Sequence, residues 1–434
     1  MNEAAFRRRL SRVLKAAENA DGVPSALRDA TFGAYRLLEL GDNHVQDVFQ
    51  RCSEADFGDV GSLAAELVAG AFKSPPSLPD NLRDTVIAAG RLLRSLEKAL
   101  ISLGSHARGK LRPRDLLVQF EKDVGWLLPF PPRNRGDLRD WPPYFARRGL
   151  ERHRCIPRKL PSGHEVELHI LDRTLGDDIV AAGGLFRSVE FKDADGAPIE
   201  LTGPFVVGAL DRLDPGDLAG AFEKACDPAV AADILIFPEL TVSPTDRLEI
   251  IRQLQVAPWR DDLGGHRPAL VIAGSWHDQL MSGAQAGSYV NAAPVYGGLG
   301  EALGRHVKHA PYGAVAAGDP FREDVVSGDK ILVLASRSLT IAVAICLDFC
   351  QRARANPYDD LDVDMVLVTS FGNERTTLGH ASQAERIWDR RKTATFVLQQ
   401  NDVGSYGVTG ATPAGSFAEA ADAPFAIRRF PRNA

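Results

Sequence analysis

Three ionisable side chains of this 434-residue chain, Glu239, Lys308 and Cys346, stand at or just beyond the ends of apolar runs. Cys346 closes Ile341-Ala-Val-Ala-Ile-Cys, whose β-branched residues suit a fully buried strand. A lone cysteine in such a place is more often a packed core residue than a reagent. Its company changes that reading. A thiol titrates near about 8.5, so it needs a base or a neighbouring positive charge to attack at neutral pH. Glu239 can supply the base. Lys308 can favour the thiolate and then stabilise an oxyanion, a division of labour that suits nucleophilic acyl transfer.

The elements that must position these groups follow an α/β pattern. Apolar runs at 205–210, 233–237, 269–274, 331–334, 339–345, 364–369 and 395–399 read as buried strands. Helical segments are expected at 216–226 and near 245–256. Strands alternating with helices predict an α/β domain over 204–434. Upstream, residues 1–125 carry helical apolar stripes, such as Val86, Leu93, Leu96 and Leu100, and predict a helical domain without assigned chemistry. Residues 126–203 read as a linker rich in Pro, Arg and aromatics, followed by a small β unit from about 163.

The segment 204–417 resembles the carbon–nitrogen hydrolase (nitrilase) superfamily. The resemblance rests on four motifs in family order: Phe237-Pro-Glu-Leu240, Tyr289-Val-Asn-Ala-Ala293, Lys308-His-Ala-Pro-Tyr-Gly313 and Ile345-Cys-Leu-Asp348. Gln400-Asn401 through Gly404, and Gly415-Ser416, resemble further elements of the family. The resemblance implies that Glu239 is the base, Lys308 the lysine and Cys346 the nucleophile. It also implies a second, orienting glutamate between lysine and cysteine, for which Glu323 is the candidate. Leu347 stands where the family more often has Tyr or Trp; its backbone N–H would serve an oxyanion hole without help from the side chain. The implied fold is a four-layer αββα sandwich, here with an additional N-terminal helical domain. The implied activity is hydrolysis of a non-peptide C–N bond in a linear amide or nitrile through a thioester. No metal or organic cofactor is implied, and a homodimer or larger homo-oligomer is expected. Because the chain ends soon after Ser416, the final strands are expected to be short or missing.

A second class of function is a nitrilase-like scaffold or sensor without turnover, associated with nucleic acid. Residues 101–160 hold 14 Lys or Arg against 6 Asp or Glu, with Trp126, Phe130, Trp141, Tyr144 and Phe145 interleaved. Such a stretch can bind a single strand by phosphate contact and stacking. The plainer alternative is a Pro-rich linker anchored by its aromatics. Tyr358-Asp-Asp360 resembles the acidic pair of a polymerase but lacks the Tyr-x-Asp-Asp spacing. The net charge of −6 excludes a generally basic nucleic-acid binder. Five irregularly spaced cysteines exclude a disulfide framework and a paired zinc site, and fit a reducing cytoplasm. No signal-peptide core or membrane-length apolar run is expected.

Overall fold

A computed structural model describes residues 1–104, 111–130, 150–172, 175–176, 178–199, 203–212, 217–256, 266–316, 319–351, 356–401, 406–412, 414–421 and 425–431. The chain divides into two compact units, Met1–Lys159 and Leu160–Ala434.

In the first unit, helices Glu3–Glu18, Pro24–Glu39, Asn43–Gln50, Val60–Val68 and Leu82–Ser102 surround one apolar core. Their starts are set locally. Asn2, Asp42, Asp59 and Asn81 each accept a hydrogen bond from a backbone N–H of the first turn, while Pro24 opens the second helix. The stripe Val86, Leu93, Leu96 and Leu100 is buried, as its spacing predicts.

The same unit also holds a three-stranded antiparallel sheet, Leu117–Phe120, Asp123–Leu128 and Arg154–Pro157. Buried Glu97 accepts the backbone N–H groups of Glu151, Arg152 and His153, which ties the approach to the third strand to the longest helix. Trp126 and Phe130 are core residues rather than exposed stacking platforms. Arg133, Arg135, Arg139, Trp141, Tyr144 and Phe145 lie outside the described residues.

The second unit is built on two large sheets. One carries the strands Trp276–Gln279, Tyr289–Gly297, Leu270–Ile272, Ile234–Ile236, Ile179–Gly184 and Phe425–Phe430 in that spatial order, with Ala302–Val307 also paired to Tyr289–Gly297. The other runs Gly415–Ala421, Tyr406–Thr412, Ala394–Gln400, Met365–Phe371, Thr340–Ile345, Lys330–Ala335 and Glu165–Ile170. They pack face to face through alternate residues, Ile234, Ile236, Leu270 and Ile272 against Leu332, Leu334, Ile341, Val343, Leu367 and Leu398. Gly183 marks how close they come, since a Cβ there would strike the Leu398 side chain.

Helices Asp217–Cys226 and Pro244–Val256 cover the outer face of the first sheet through Leu218, Phe222, Ile250 and Leu254. Helix Glu374–Arg391 covers the second. The result is the expected four-layer αββα sandwich, with the helical addition upstream.

Three expectations need correction. The boundary falls at 159/160 rather than 203/204, because Glu165–Ile170 and Ile179–Gly184 are strands of the two sheets. Residues 205–210 are not a buried strand: Gly203–Phe205 and Ala209–Arg212 belong to small separate sheets. The last described strand is not missing either. Phe425–Phe430 pairs antiparallel with Ile179–Gly184 along its whole length. Among the described residues, no helix is long and apolar enough to cross a membrane.

Candidate active site

Strand ends bring the expected residues together. Thr340–Ile345 runs parallel to Met365–Phe371, and Cys346 stays in register by donating its N–H to Thr369 O at 2.8 Å. There the chain turns sharply into the short helix Leu347–Cys350. Cys346 takes φ +45° and ψ −109°, a conformation that costs a non-glycine residue energy and recurs at functional turns. Its thiol lies 3.5 Å from Phe371 O and lines a cavity of about 440 Å³. Leu347 is the first residue of that helix, so its N–H has no intrahelical acceptor.

Glu239 follows the strand Ile234–Ile236 at a second irregular turn, where Leu240 has φ +57°. Lys308 follows the strand Ala302–Val307 and donates its backbone N–H to Asn291 O at 2.8 Å. Glu323 ends the strand Asp319–Glu323 of a small three-stranded sheet. All four side chains line the same cavity, and all are nearly inaccessible to solvent.

Lys308 is the hub. Its Nζ lies 2.7 Å from Glu239 Oε1 and 2.6 Å from Glu323 Oε2. Asn291 Nδ2 bridges the same two carboxylates, donating to Glu239 Oε1 at 3.0 Å and Glu323 Oε1 at 2.8 Å. Glu239 Oε2 accepts from Phe371 N–H at 3.0 Å. Glu323 is more fully engaged, accepting also from Tyr312 N–H at 2.5 Å and approaching His277 Nε2 at 3.1 Å. His277 Nδ1 accepts the Val207 N–H at 2.8 Å, so Nε2 carries the ring proton and donates to Glu323.

This asymmetry sets the charge states. Burial drives Glu323 up, but Lys308 and His277 outweigh it and hold the carboxyl well below the usual range. Glu239 moves the other way. Burial, reinforced by the neighbouring charge of Glu323, holds it above an ordinary glutamate despite Lys308. Burial alone would lower Lys308; the two carboxylates overcome it and keep the ammonium charged far into alkali. Burial, then Glu239, pushes the Cys346 thiol well above its ordinary value, and Lys308 only partly offsets them. Two carboxyls on one lysine are thus driven apart, Glu323 below the ordinary glutamate range and Glu239 above it. Cys346 is thereby held as the thiol rather than the thiolate.

Asp348 ties the lysine loop to the cysteine turn. Its carboxylate accepts the N–H groups of His309 and Ala310 at 2.9 and 2.8 Å, and that of Ile345 at 3.3 Å. His306 Nε2 lies 3.0 Å from its other oxygen. His306, His309 and Asp348 form a metal-type grouping. These backbone donors already occupy the carboxylate, which makes it a structural clamp. Tyr358 is buried and donates to Val343 O, while Asp359 pairs with Arg386 and Arg390, so the acidic pair at 359–360 has no polymerase-like setting.

Of the residues expected from the sequence, Glu239, Lys308, Cys346 and Glu323 converge on one cavity, and Leu347 follows Cys346 as the first residue of the short helix. Sequence reasoning quoted Asn291 only as part of a motif, and it missed His277, whose short strand carries no local mark of the contact made with Glu323.

Fold and site together define an αββα sandwich with a thiol, an ammonium and two carboxylates buried at its strand ends. No family model matches the sequence, and no curated protein matches it. Solved structures do. An amidase from Nesterenkonia sp. is 17% identical, with a TM-score of 0.37, over 59% of this chain and 91% of its own. A carbon–nitrogen hydrolase from Helicobacter pylori G27 is 13% identical, with a TM-score of 0.39, over 59% and 90%. A variant of the Nesterenkonia sp. AN1 amidase is 16% identical over 58% and 90%, with a TM-score of 0.36; it shows the acetamide moiety of fluoroacetamide added covalently at its active-site cysteine. These neighbours are nitrilase-superfamily amidases and a carbon–nitrogen hydrolase, the class that the motifs at 237–240, 308–313 and 345–348 resemble.

Proposed function

We propose that this chain is a carbon–nitrogen hydrolase of the nitrilase type, acting on an amide or nitrile through a thioester at Cys346. The observation that carries the proposal is the convergence of Cys346, Lys308 and Glu239 on one cavity, with Lys308 Nζ 2.7 Å from the carboxylate. Glu239 takes the thiol proton as sulfur attacks the amide carbonyl carbon; a nitrile carbon attacked in the same way gives a thioimidate, which one water converts, with loss of ammonia, to the same thioester. The developing oxyanion is held by Lys308 and the Leu347 N–H, preorganised donors in a water-poor site. Glu239 returns the proton to the departing nitrogen, the C–N bond breaks and ammonia or an amine leaves. Water then attacks the thioester, giving a proton to Glu239. Collapse of the second tetrahedral species releases the carboxylic acid, and the thiol recovers its proton. Glu323 touches no reacting atom; it is a positioning residue that keeps Lys308 charged and in place.

The test is to incubate the protein with a panel of amides and nitriles, measure ammonia release, and look by mass spectrometry for an acyl adduct on the peptide bearing Cys346. The expected result is turnover with the adduct on Cys346 and on none of the other four cysteines. Turnover with an adduct elsewhere would overturn the assignment.

The charge pattern also sets a pH dependence. Activity should rise with pH as Glu239 ionises above the ordinary glutamate value, and fall only where Lys308 loses its proton, far above neutrality. In Glu323→Gln, the charge that helps to hold Glu239 up is gone, so the acidic limb moves to lower pH. Lys308 loses one of two carboxylates, so the alkaline limb also moves down. Profiles of kcat/KM against pH for the two proteins check both signs; opposite movement of the limbs would contradict the assignment.

A further inference from the structure

The cavity above Cys346 is much larger than hydrolysis of a small amide requires. At about 30 Å³ for each group the size of a water molecule, about 440 Å³ corresponds to roughly 15 non-hydrogen atoms. Its wall is apolar. Val189, Phe191, Ile199, Phe205, Phe321 and Phe371 line it, with Phe205 stacked on Phe321 at 4.4 Å and Phe191 edge-on to Phe371 at 4.7 Å.

Much of this wall comes from the chain between the strand Ile179–Gly184 and the helix Asp217–Cys226. That stretch leaves the sandwich and forms the two-stranded sheet of Val189–Lys192 and Ala209–Arg212. It has a small core of its own, Val207, Leu240 and Trp276 packed with Phe191, Ile199, Phe205 and Leu210. The wall is therefore formed before any ligand arrives, as apolar binding sites usually are.

Charge narrows the choice of ligand. Among the described residues, the charged side chains lining the cavity are Glu239, Lys308 and Glu323, which engage one another, and Glu190, which is exposed. Among the described residues the wall offers no arginine or second lysine to receive a carboxylate, so an anionic acyl group would enter beside Glu190 without a partner there.

We propose that the substrates are amides or nitriles with an uncharged apolar acyl group, aromatic or medium-chain aliphatic, seated against the wall of Phe191, Ile199 and Phe321. This rests on the carbon–nitrogen hydrolase reading above. Chain length and charge then govern specificity, because each methylene taken from water into the wall is worth roughly fourfold in affinity.

The experiment measures kcat/KM for acetamide, butanamide, hexanamide, phenylacetamide and succinamic acid by ammonia release. In parallel, iodoacetamide labelling of Cys346 is followed by peptide mass spectrometry against the other cysteines. Hexanamide, with four more methylenes than acetamide, is expected to exceed it by about 250-fold and phenylacetamide by a similar factor, with succinamic acid no better than acetamide. Phe191→Ala and Ile199→Ala should each narrow the hexanamide-to-acetamide ratio by about tenfold, with a cooperative thermal transition kept in each variant. If acetamide or succinamic acid is turned over as well as hexanamide while Cys346 labels selectively, the substrate class is wrong and the hydrolase reading stands. If no member is hydrolysed and Cys346 labels no faster than the other cysteines, both are overturned.

Discussion

Lys308→Met is expected to abolish turnover and to remove about 3–5 kcal/mol of stability, the loss typical when one partner of a buried ion pair is deleted. Lys308 is 1% exposed and sits between Glu239 and Glu323 at 2.7 and 2.6 Å. A methionine fills similar volume, so the loss is electrostatic rather than a cavity effect. What remains is two buried carboxyls sharing Asn291, with no cation beside either among the described residues and only a hydrogen bond from His277 to Glu323. At neutral pH, at least one must take up a proton for the fold to survive. Denaturant unfolding at neutral pH reads the loss, and unfolding at mildly acidic pH should read a smaller one, because protonation there relieves the repulsion.

The double variant Lys308→Met with Glu323→Gln separates the causes. Removing one of the stranded charges should restore part of the stability and none of the turnover, a coupling that a double-mutant cycle measures. A Lys308→Met protein as stable as the parent at neutral pH would show that the carboxyls are not both ionised in the native state, and the charge assignment made above would fail.

How far the sequence discloses this site depends on the range of the contacts. Glu239, Lys308, Cys346 and Glu323 each end or closely follow an extended segment, and an apolar run closed by a polar group is visible within a few residues. What holds them is not. His277 meets Glu323 across 46 positions, and its own neighbours, Trp276 and Asp278, suggest only an alternating strand.

The misreading of 205–210 has the same origin. Val206 and Val207 look like a buried strand, but Pro204 and Gly208 interrupt the ladder, and the Val207 N–H is spent on His277 Nδ1 instead of a neighbouring strand. The real strand of the first sheet is Ile179-Val-Ala-Ala-Gly-Gly184, which is poor in the β-branched residues that mark a strand by propensity. Its small residues are required by close packing: Gly183 lies under Leu398, and Gly184 lies against Phe237 and Ala221. Propensity does not report the partner that presses on a strand.

Glu239→Gln should move two properties of Cys346 in opposite directions, which makes it the sharpest test of the proposed chemistry. Turnover should fall by about 10²–10⁴-fold, the range typical for loss of a general base. The thiol itself should become more acidic. Burial is the main cause of its raised pKa, and the negative charge of Glu239 is the next; Lys308 acts against both. Glutamine keeps the shape and can still accept from Lys308, but removes the charge, so the lysine favours the thiolate with less opposition. The pH at which alkylation of Cys346 by iodoacetamide reaches half its maximal rate should therefore drop below that of the parent, while amide hydrolysis collapses at every pH. A residue that merely supported the fold would lower both together, through loss of the native state. Cys346→Ser supplies the control, since an alcohol is far harder to ionise and should leave neither alkylation nor turnover. If Glu239→Gln raised the alkylation midpoint, or left turnover within a few-fold of the parent, Glu239 would not be the base. The proton would then have to leave Cys346 by another route.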